Sequence, residues 1–403
     1  MLHWPRRAIV ELAIVELAIV ELATVELSKA IGALGASCAA GVGARVTRYL
    51  PVMKTLRFGL LLSFLALASC SVTPPGVPAL YLLVPGASTG ASLRGVSAVD
   101  ANVAFISGSG GTLMRTVDGG SSWQDIAPPG TEQCDFRDVE AMDRNSVLAM
   151  VAGQPARVYR TSDGGTTWNI VVEDPRPGAF FDAMAFAGDY GVMFGDAIDG
   201  QFALLQTADG GRTWRDRSGV FLPEPKPGEA AFAASGTCLV AVADAVPEFC
   251  LATGGGPARM VKLGPSIASP DAKNYWSRIL PLQSGASSKG AFSIAWHGKH
   301  GVTVGGDYQL PQECNGTAAW SNDGGETWTA SDALGFRSAV VWLDHQRLLS
   351  VGSHGASWSA DAGRTWNALQ DGGYHALSKG RDGAVWAVGS NGRVAKLKMV
   401  LPD

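Results

Sequence analysis

Short apolar runs with apolar/polar alternation recur through residues 79–403, separated by turns rich in Gly, Asp and Ser. This pattern predicts β-strands joined by tight turns, not helices. One series of runs opens each unit: "LRGVSAVD", "FRDVEAMD", "FFDAMAFAG", "GEAAFAASG", "AFSIAWHG", "FRSAVVWLD" and "YHALSKGRD". A second series follows and ends in Gly or a turn residue: "VAFISGSG", "SVLAMVAG", "GVMFGD", "CLVAVAD" (or "FCLATGG" beyond a hairpin), "GVTVGGD", "RLLSVGS" and "AVWAVGS".

Between these runs stands an eight-residue box, seen as "TVDGGSSW", "TSDGGTTW", "TADGGRTW", "SNDGGETW" and "SADAGRTW". Its Asp residues are Asp118, Asp163, Asp209, Asp323 and Asp361, with Trp123, Trp168, Trp214, Trp328 and Trp366 five positions on. Successive gaps of 45, 46, 114 and 38 residues leave room for one unit without a box, around 256–280. A seventh unit ends in "NGRVAKLKMV", also without a box. Four strands in about 45 residues is the size of a propeller blade, and such blades bury their faces only by stacking in a ring. The expected fold is all-β: a seven-bladed β-propeller of four-stranded antiparallel blades. The last blade runs out of chain after three strands, so "ALYLLVP" (residues 79–85) is expected to supply its outer strand and close the ring.

Inside the box, the Asp carboxylate suits a tight turn whose backbone N–H groups it accepts. The Gly at the fifth position permits positive φ, and the Trp buries a large face against a neighbour. Five copies in five blades cannot serve one active site, so the box reads as scaffold. One carboxylate per turn also falls short of a calcium site. These residues resemble the Asp-box, or BNR, repeat of sialidase-like propellers. Over the whole chain "DFRDVEAMD", "FFDAMAF", "GDAIDGQF", "GEAAFAASGT", "GAFSIAW" and "VGGDY" resemble bacterial exported propellers grouped with the photosystem II assembly and stability factors. In photosynthetic members that resemblance implies a non-enzymatic assembly factor; nothing in this sequence indicates a photosynthetic host.

The N-terminal region follows different rules. "MKTLRFGLLLSFLALASC" (residues 53–70) has basic residues, an apolar stretch and small residues before a Cys, the pattern of a secretion signal too short to span a membrane. Its end resembles a bacterial lipobox, which implies lipidation at Cys70 and, with Ser71 next, an outer-membrane lipoprotein facing the periplasm. Residues 71–78 then form a short linker. The repeat "AIVELAIVELAIVELATVEL" within residues 1–52 advances its Glu positions by about 140° each time and makes no polar helix face. We read Met53 as the true start and residues 1–52 as translated upstream sequence.

Net charge is −4 with no basic block, which argues against nucleic acid. Cys134, Cys238, Cys250 and Cys314 remain after Cys38 and Cys70 are set aside. Cys238 and Cys250 sit symmetrically about a hairpin turn near Asp244 and are the favoured disulfide pair. No CxxC or His cluster accompanies them, so no metal and no cofactor is expected.

Aligning the seven openings places Arg94, Arg137, Phe181, Glu229, Phe292, Arg337 and His375 at equivalent positions, with Asp138, Asp182 and Ser293 next to them. First strands of blades line a propeller's central channel, so a ring of Arg94, Arg137, Asp138, Asp182, Glu229, Arg337 and His375 is the candidate ligand site. Guanidinium forks suit carboxylate or phosphate; the bland alternative is that each Arg pairs with a neighbouring acid. Two functions follow. One is a monomeric, non-enzymatic scaffold that binds a protein or small anionic partner at the channel mouth. The other is sialidase-like glycoside hydrolysis, with three arginines on a sugar carboxylate, Tyr374 or Tyr308 activated by Glu229, and Asp138 as acid. The sialidase F-R-I-P element is absent, since "FRDV" and "FRSA" lack its Pro.

Overall fold

The computed structural model describes residues 77–82, 87, 89–243, 247–264, 275–369 and 373–400. The chain divides into units 1–74 and 75–403, and everything described lies in the second. The readings of residues 1–52, the signal ending at Cys70, most of the 71–78 linker and the turn at Asp244 lie outside the described residues.

Seven four-stranded antiparallel sheets occupy residues 93–125, 135–174, 181–216, 239–279, 289–331, 339–369 and 376–400, the last completed by Val77–Leu82. They are blades one to seven, and no helix occurs among the described residues. The first strands are Leu93–Ala98, Asp135–Ala141, Phe181–Ala187, Leu239–Ala243, Lys289–His297, Ala339–Trp342 and Ala376–Lys379. Each touches the next, and the seventh touches the first. The closing strand pairs antiparallel with Val394–Val400 in a register running from Val77↔Val400 to Leu82↔Ala395. It begins two residues before the expected start.

The apolar residues sort into seven clusters, one for each interface between adjacent blades. Phe105 and Ile126 of blade one meet Phe136 and Tyr159 of blade two. Leu93 and Ile106 of blade one meet Trp386 and Val394 of blade seven, which closes the circle. Strand alternation sends successive side chains to opposite faces, so every blade feeds two clusters.

The boxes fasten one edge of the blades. In blade two, Asp163 Oδ1 accepts from the Thr161 hydroxyl at 2.7 Å and the Thr167 amide at 2.9 Å, while Oδ2 accepts from the Thr167 hydroxyl at 2.6 Å. Thr161 Oγ1 in turn accepts from the Gly165 amide at 3.0 Å. The same pattern recurs at Asp118, Asp209, Asp323 and Asp361. Gly165 has φ 97°, and a Cβ there would run into Ile126 of the preceding blade at 2.6 Å. Trp168 reaches the same neighbour by donating Nε1–H to the Ile126 carbonyl at 2.7 Å.

A second device lies in the openings that end in Asp. Asp100, Asp143 and Asp344 each accept two backbone amides of the turn that follows the first strand. That turn then accepts the first box glycine amide of its own blade, Gly119 to the Asn102 carbonyl and Gly164 to the Asn145 carbonyl. Both turns at one edge of a blade are thereby tied together.

Two expectations are corrected. "GEAAFAASG" is not the first strand of blade four, which is Leu239–Ala243; "FCLATGG" supplies the second strand, Glu248–Ala252. The expected Cys238–Cys250 disulfide is absent, and Cys134, Cys238, Cys250 and Cys314 are free thiols. The register pairs Cys250 with Val240, while Cys238 lies one residue before the strand. Cys238 packs between blades three and four, and Cys250 between blades four and five.

Deleting Val77–Leu82 should expose the edge of Val394–Val400 and lower the melting temperature by at least about 5 °C, or abolish cooperative melting. An unchanged melting temperature in differential scanning calorimetry would show that this strand does not close the ring.

Candidate functional site

Four first strands carry a β-bulge at the same level. The register skips Arg94 in blade one, Arg137 in blade two, Asp182 in blade three and Phe292 in blade five. A bulge leaves one residue unpaired and re-aims its side chain. The facing strand accommodates it with glycine. A Cβ on Gly108, Gly195 or Gly305 would collide with the carbonyl of Ser92, Phe180 or Gly290 across the pair. This close approach explains why the second apolar runs of these blades carry a Gly there.

The bulged residues line one cavity of about 470 Å³ at the channel mouth, within the size range of small-ligand sites. Arg94, Arg137, Asp182 and His375 all reach it, as the alignment of openings predicts. Arg94 makes no hydrogen bond or ion pair among the described residues. Its pKa lies below the usual range because of burial first and neighbouring Arg137 second, with the Asp135 carboxylate opposing them. Arg137 is committed, donating to Asp135 at 2.6 Å and to the Ala233 carbonyl at 3.1 Å. His375 shares Nδ1 with the Leu93 carbonyl at 3.0 Å, and burial holds its pKa below the ordinary value.

The other three proposed ring residues lie elsewhere. Asp138 is buried, accepting from the Val139 amide at 2.9 Å and from the Met184 amide of blade three at 2.8 Å. Glu229 forms a buried two-pronged pair with Arg259, at 2.7 Å for each contact, and also accepts from Thr253 Oγ1 at 2.6 Å. Arg337 is buried, donating to Ser357 Oγ and to the Phe336 and Leu334 carbonyls. Glu229 sits ten residues before the first strand of blade four, so its equivalent sequence position is not an equivalent place, and the donors of Arg337 are taken by its local partners. The residues invoked for glycoside hydrolysis do not assemble, because Arg337, Glu229 and Asp138 do not line the cavity, and Tyr374 is buried.

The misassigned segment "AFAAS" (residues 231–235) contributes the feature that sequence reasoning missed. It arches over the mouth between blades three and four. The Ala233 and Ala231 amides lie near the carboxyls of Asp182 and Asp196 and favour their charged forms. Phe232 lies flat on Phe292 of blade five, with centroids 3.7 Å apart and planes within 9°. Ser235 Oγ donates to the Ser338 carbonyl at 2.7 Å. The arch thus bridges blades two, three, five and six. Phe180, Tyr308 and Phe336 extend its apolar wall around the cavity. Among the described residues no three His, Cys, Asp or Glu side chains gather where a metal could sit.

Together these features define an all-β, repeat-built propeller with a polar-and-aromatic cavity lined by residues of its first strands and of the arch. The sequence model of the photosynthesis system II assembly factor YCF48 family matches residues 87–219, the first three blades, so this part of the chain is similar to that family. No curated protein matches the chain. Among solved structures, one described as YCF48 bound to D1 peptide superposes with TM-score 0.54 at 15% identity, over 83% of this chain and 100% of that one. YCF48 from Cyanidioschyzon merolae gives TM-score 0.51 at 19% identity, over 79% and 98%. A chain of a mitotic checkpoint complex gives 0.53 at 12%, over 81% and 92%. Likenesses this distant show the fold, and a shared fold does not carry function.

Two sets of carboxyls have opposite pH signatures. Hydrogen bonds from the hydroxyls of Ser122, Thr167 and Thr327 hold Asp118, Asp163 and Asp323 down to about 2. At Asp209 burial pushes the other way, but the Thr213 hydroxyl and amide outweigh it and the value is again about 2. Their stabilisation is complete above the unfolded value of about 4 and is lost as pH falls toward 2. Burial instead raises Asp138 to about 7, and raises Glu140, Asp182 and Asp196. Between about pH 4 and 7 the fold holds protons that the unfolded chain has released, so stability falls as pH rises. His375 pulls oppositely near pH 6, but it is one group against four.

Melting temperature should therefore peak in the acid range and decline from pH 5 to pH 8. A flat or rising profile would overturn this assignment. Glu229→Gln should cost about 3–5 kcal/mol by stranding Arg259, measured by urea unfolding; a loss under about 1 kcal/mol would remove Glu229 from the structural set.

Proposed function

We propose that this protein is a non-enzymatic binding scaffold, working as a monomer outside the cytoplasm and tethered through Cys70 to the envelope. Its partner presents an anionic group to the channel mouth. The observation that carries the reading is Arg94, a half-buried guanidinium that lines the cavity and, with Asp135 nearby, makes no direct hydrogen bond or ion pair among the described residues. Desolvating a cation that has no direct hydrogen-bonded acceptor is costly, and an incoming carboxylate or phosphate offsets that cost with charge-assisted bonds. Arg137 and His375, on the same rim, reinforce the preference for negative charge. The YCF48 structure carrying a D1 peptide supports a protein partner for a propeller of this architecture. The lipobox and the secretion signal support an outer-membrane location facing the periplasm.

The immobilised protein should capture its partner from an envelope extract, and Arg94→Ala should reduce capture by about tenfold or more without lowering the melting temperature. Equal capture by Arg94→Ala and wild type would exclude the mouth as the binding site.

A further inference from the structure

The cavity has a second polar wall that an anion does not satisfy. Asp182 projects from the bulge of blade three and is 1% exposed. Asp196 follows Gly195 on the facing strand, and both carboxyls line the cavity. The Ala233 and Ala231 amides of the arch lie near them and favour their charged forms. Even so, Asp182 Oδ2 and Asp196 Oδ1 are shut off from solvent with no hydrogen-bond partner. Arg137 lies close enough to favour the charged form of Asp182, but donates no hydrogen bond to either carboxyl; its two bonds go to Asp135 and the Ala233 carbonyl.

A buried acceptor without a donor costs free energy, and two adjacent carboxylates repel. A ligand ammonium in the cavity opposes the repulsion by placing a positive charge beside both carboxyls. Two carboxyls are too few for a metal ion, and among the described residues no third ligand joins them. The remaining wall is aromatic, with Phe232 stacked on Phe292 and Phe336 and Tyr308 set edge-on to Phe292. Ring faces favour both an apolar side chain and a nearby cation.

We infer that the mouth cavity selects a small zwitterion, an α-amino acid with an aromatic or large apolar side chain. The ammonium seats between Asp182 and Asp196, the carboxylate meets Arg94, and the side chain lies against the Phe232–Phe292 wall. The inference deepens the anion-binding reading of Arg94 and rests on it. Binding has a protonic signature. Burial first and Asp196 second raise the proton affinity of Asp182; Arg137 opposes them, and Asp138 and Cys238 lie close by. An ammonium between the carboxyls favours their charged forms, so its arrival releases a proton.

Calorimetric titration of the purified protein with L-phenylalanine, 3-phenylpropionate and phenethylamine separates the two walls. L-Phenylalanine should bind about tenfold or more tightly than either single-charge analogue. Its apparent enthalpy should shift between phosphate and Tris buffers in proportion to the proton released. Asp182→Asn, nearly isosteric with the protonated acid, should bring the L-phenylalanine to 3-phenylpropionate ratio to about one and abolish the buffer dependence. Asp196→Asn serves as the second variant should the first melt early. Equal affinity of the wild type for L-phenylalanine and 3-phenylpropionate overturns the ammonium subsite and leaves the Arg94 reading standing. Binding of phenethylamine but not 3-phenylpropionate overturns the Arg94 reading, and no binding of any probe overturns both.

Discussion

A four-stranded blade has two apolar faces and nothing of its own to cover them. Every other feature of this protein follows from that constraint. The faces are buried only when each blade lies between two others, so the arrangement must close on itself. The seven apolar clusters fall between blades, and none forms a central core. Closure comes from joining the two ends of the propeller, Val77–Leu82 beside Val394–Val400. The central channel is what remains when the core is distributed around a ring, and it is available for function because packing does not need it.

Packing by faces leaves the turns to be organised by hydrogen bonds. The boxes do this at one edge of the blades, where Asp163 and its counterparts accept from hydroxyls and amides within the same turn. Their carboxyls are strongly acidic because every partner stabilises the charged form. The channel side works in the opposite sense. Asp138, Asp182 and their neighbours are buried among one another, so their proton affinity rises. The same residue type is thus an inert fastener at one edge and a titrating group inside the channel, and only its surroundings differ.

The mouth shows how a repeat is turned into a site. Bulges at one level of four first strands lift Arg94, Arg137, Asp182 and Phe292 out of the pairing pattern and aim them at the cavity. Aligning the openings found Arg94, Arg137 and Phe292 because the repeat is regular there. It chose Phe181 where the bulged residue is Asp182, one position on. In blade four it failed, because "GEAAFAASG" has the alternation of a strand but serves as an arch. Glu229 consequently sits in an ion pair with Arg259, and Phe232 crosses to blade five. Arg337 failed for a simpler reason: a hydroxyl and two carbonyls lie within reach and take its donors.

By itself the sequence determined the strand pattern, the number of blades, the scaffolding role of the boxes and the need for an N-terminal strand to complete the ring. All of these follow from periodicity and from short-range turn chemistry, which a chain carries locally. Tertiary structure alone decided which cations remained unpartnered, that Cys238 and Cys250 belong to different interfaces, and that Asp182 and Asp196 meet beneath an arch. Those facts depend on which side chains approach across the ring, and residues far apart in the chain share no local signal of such a meeting.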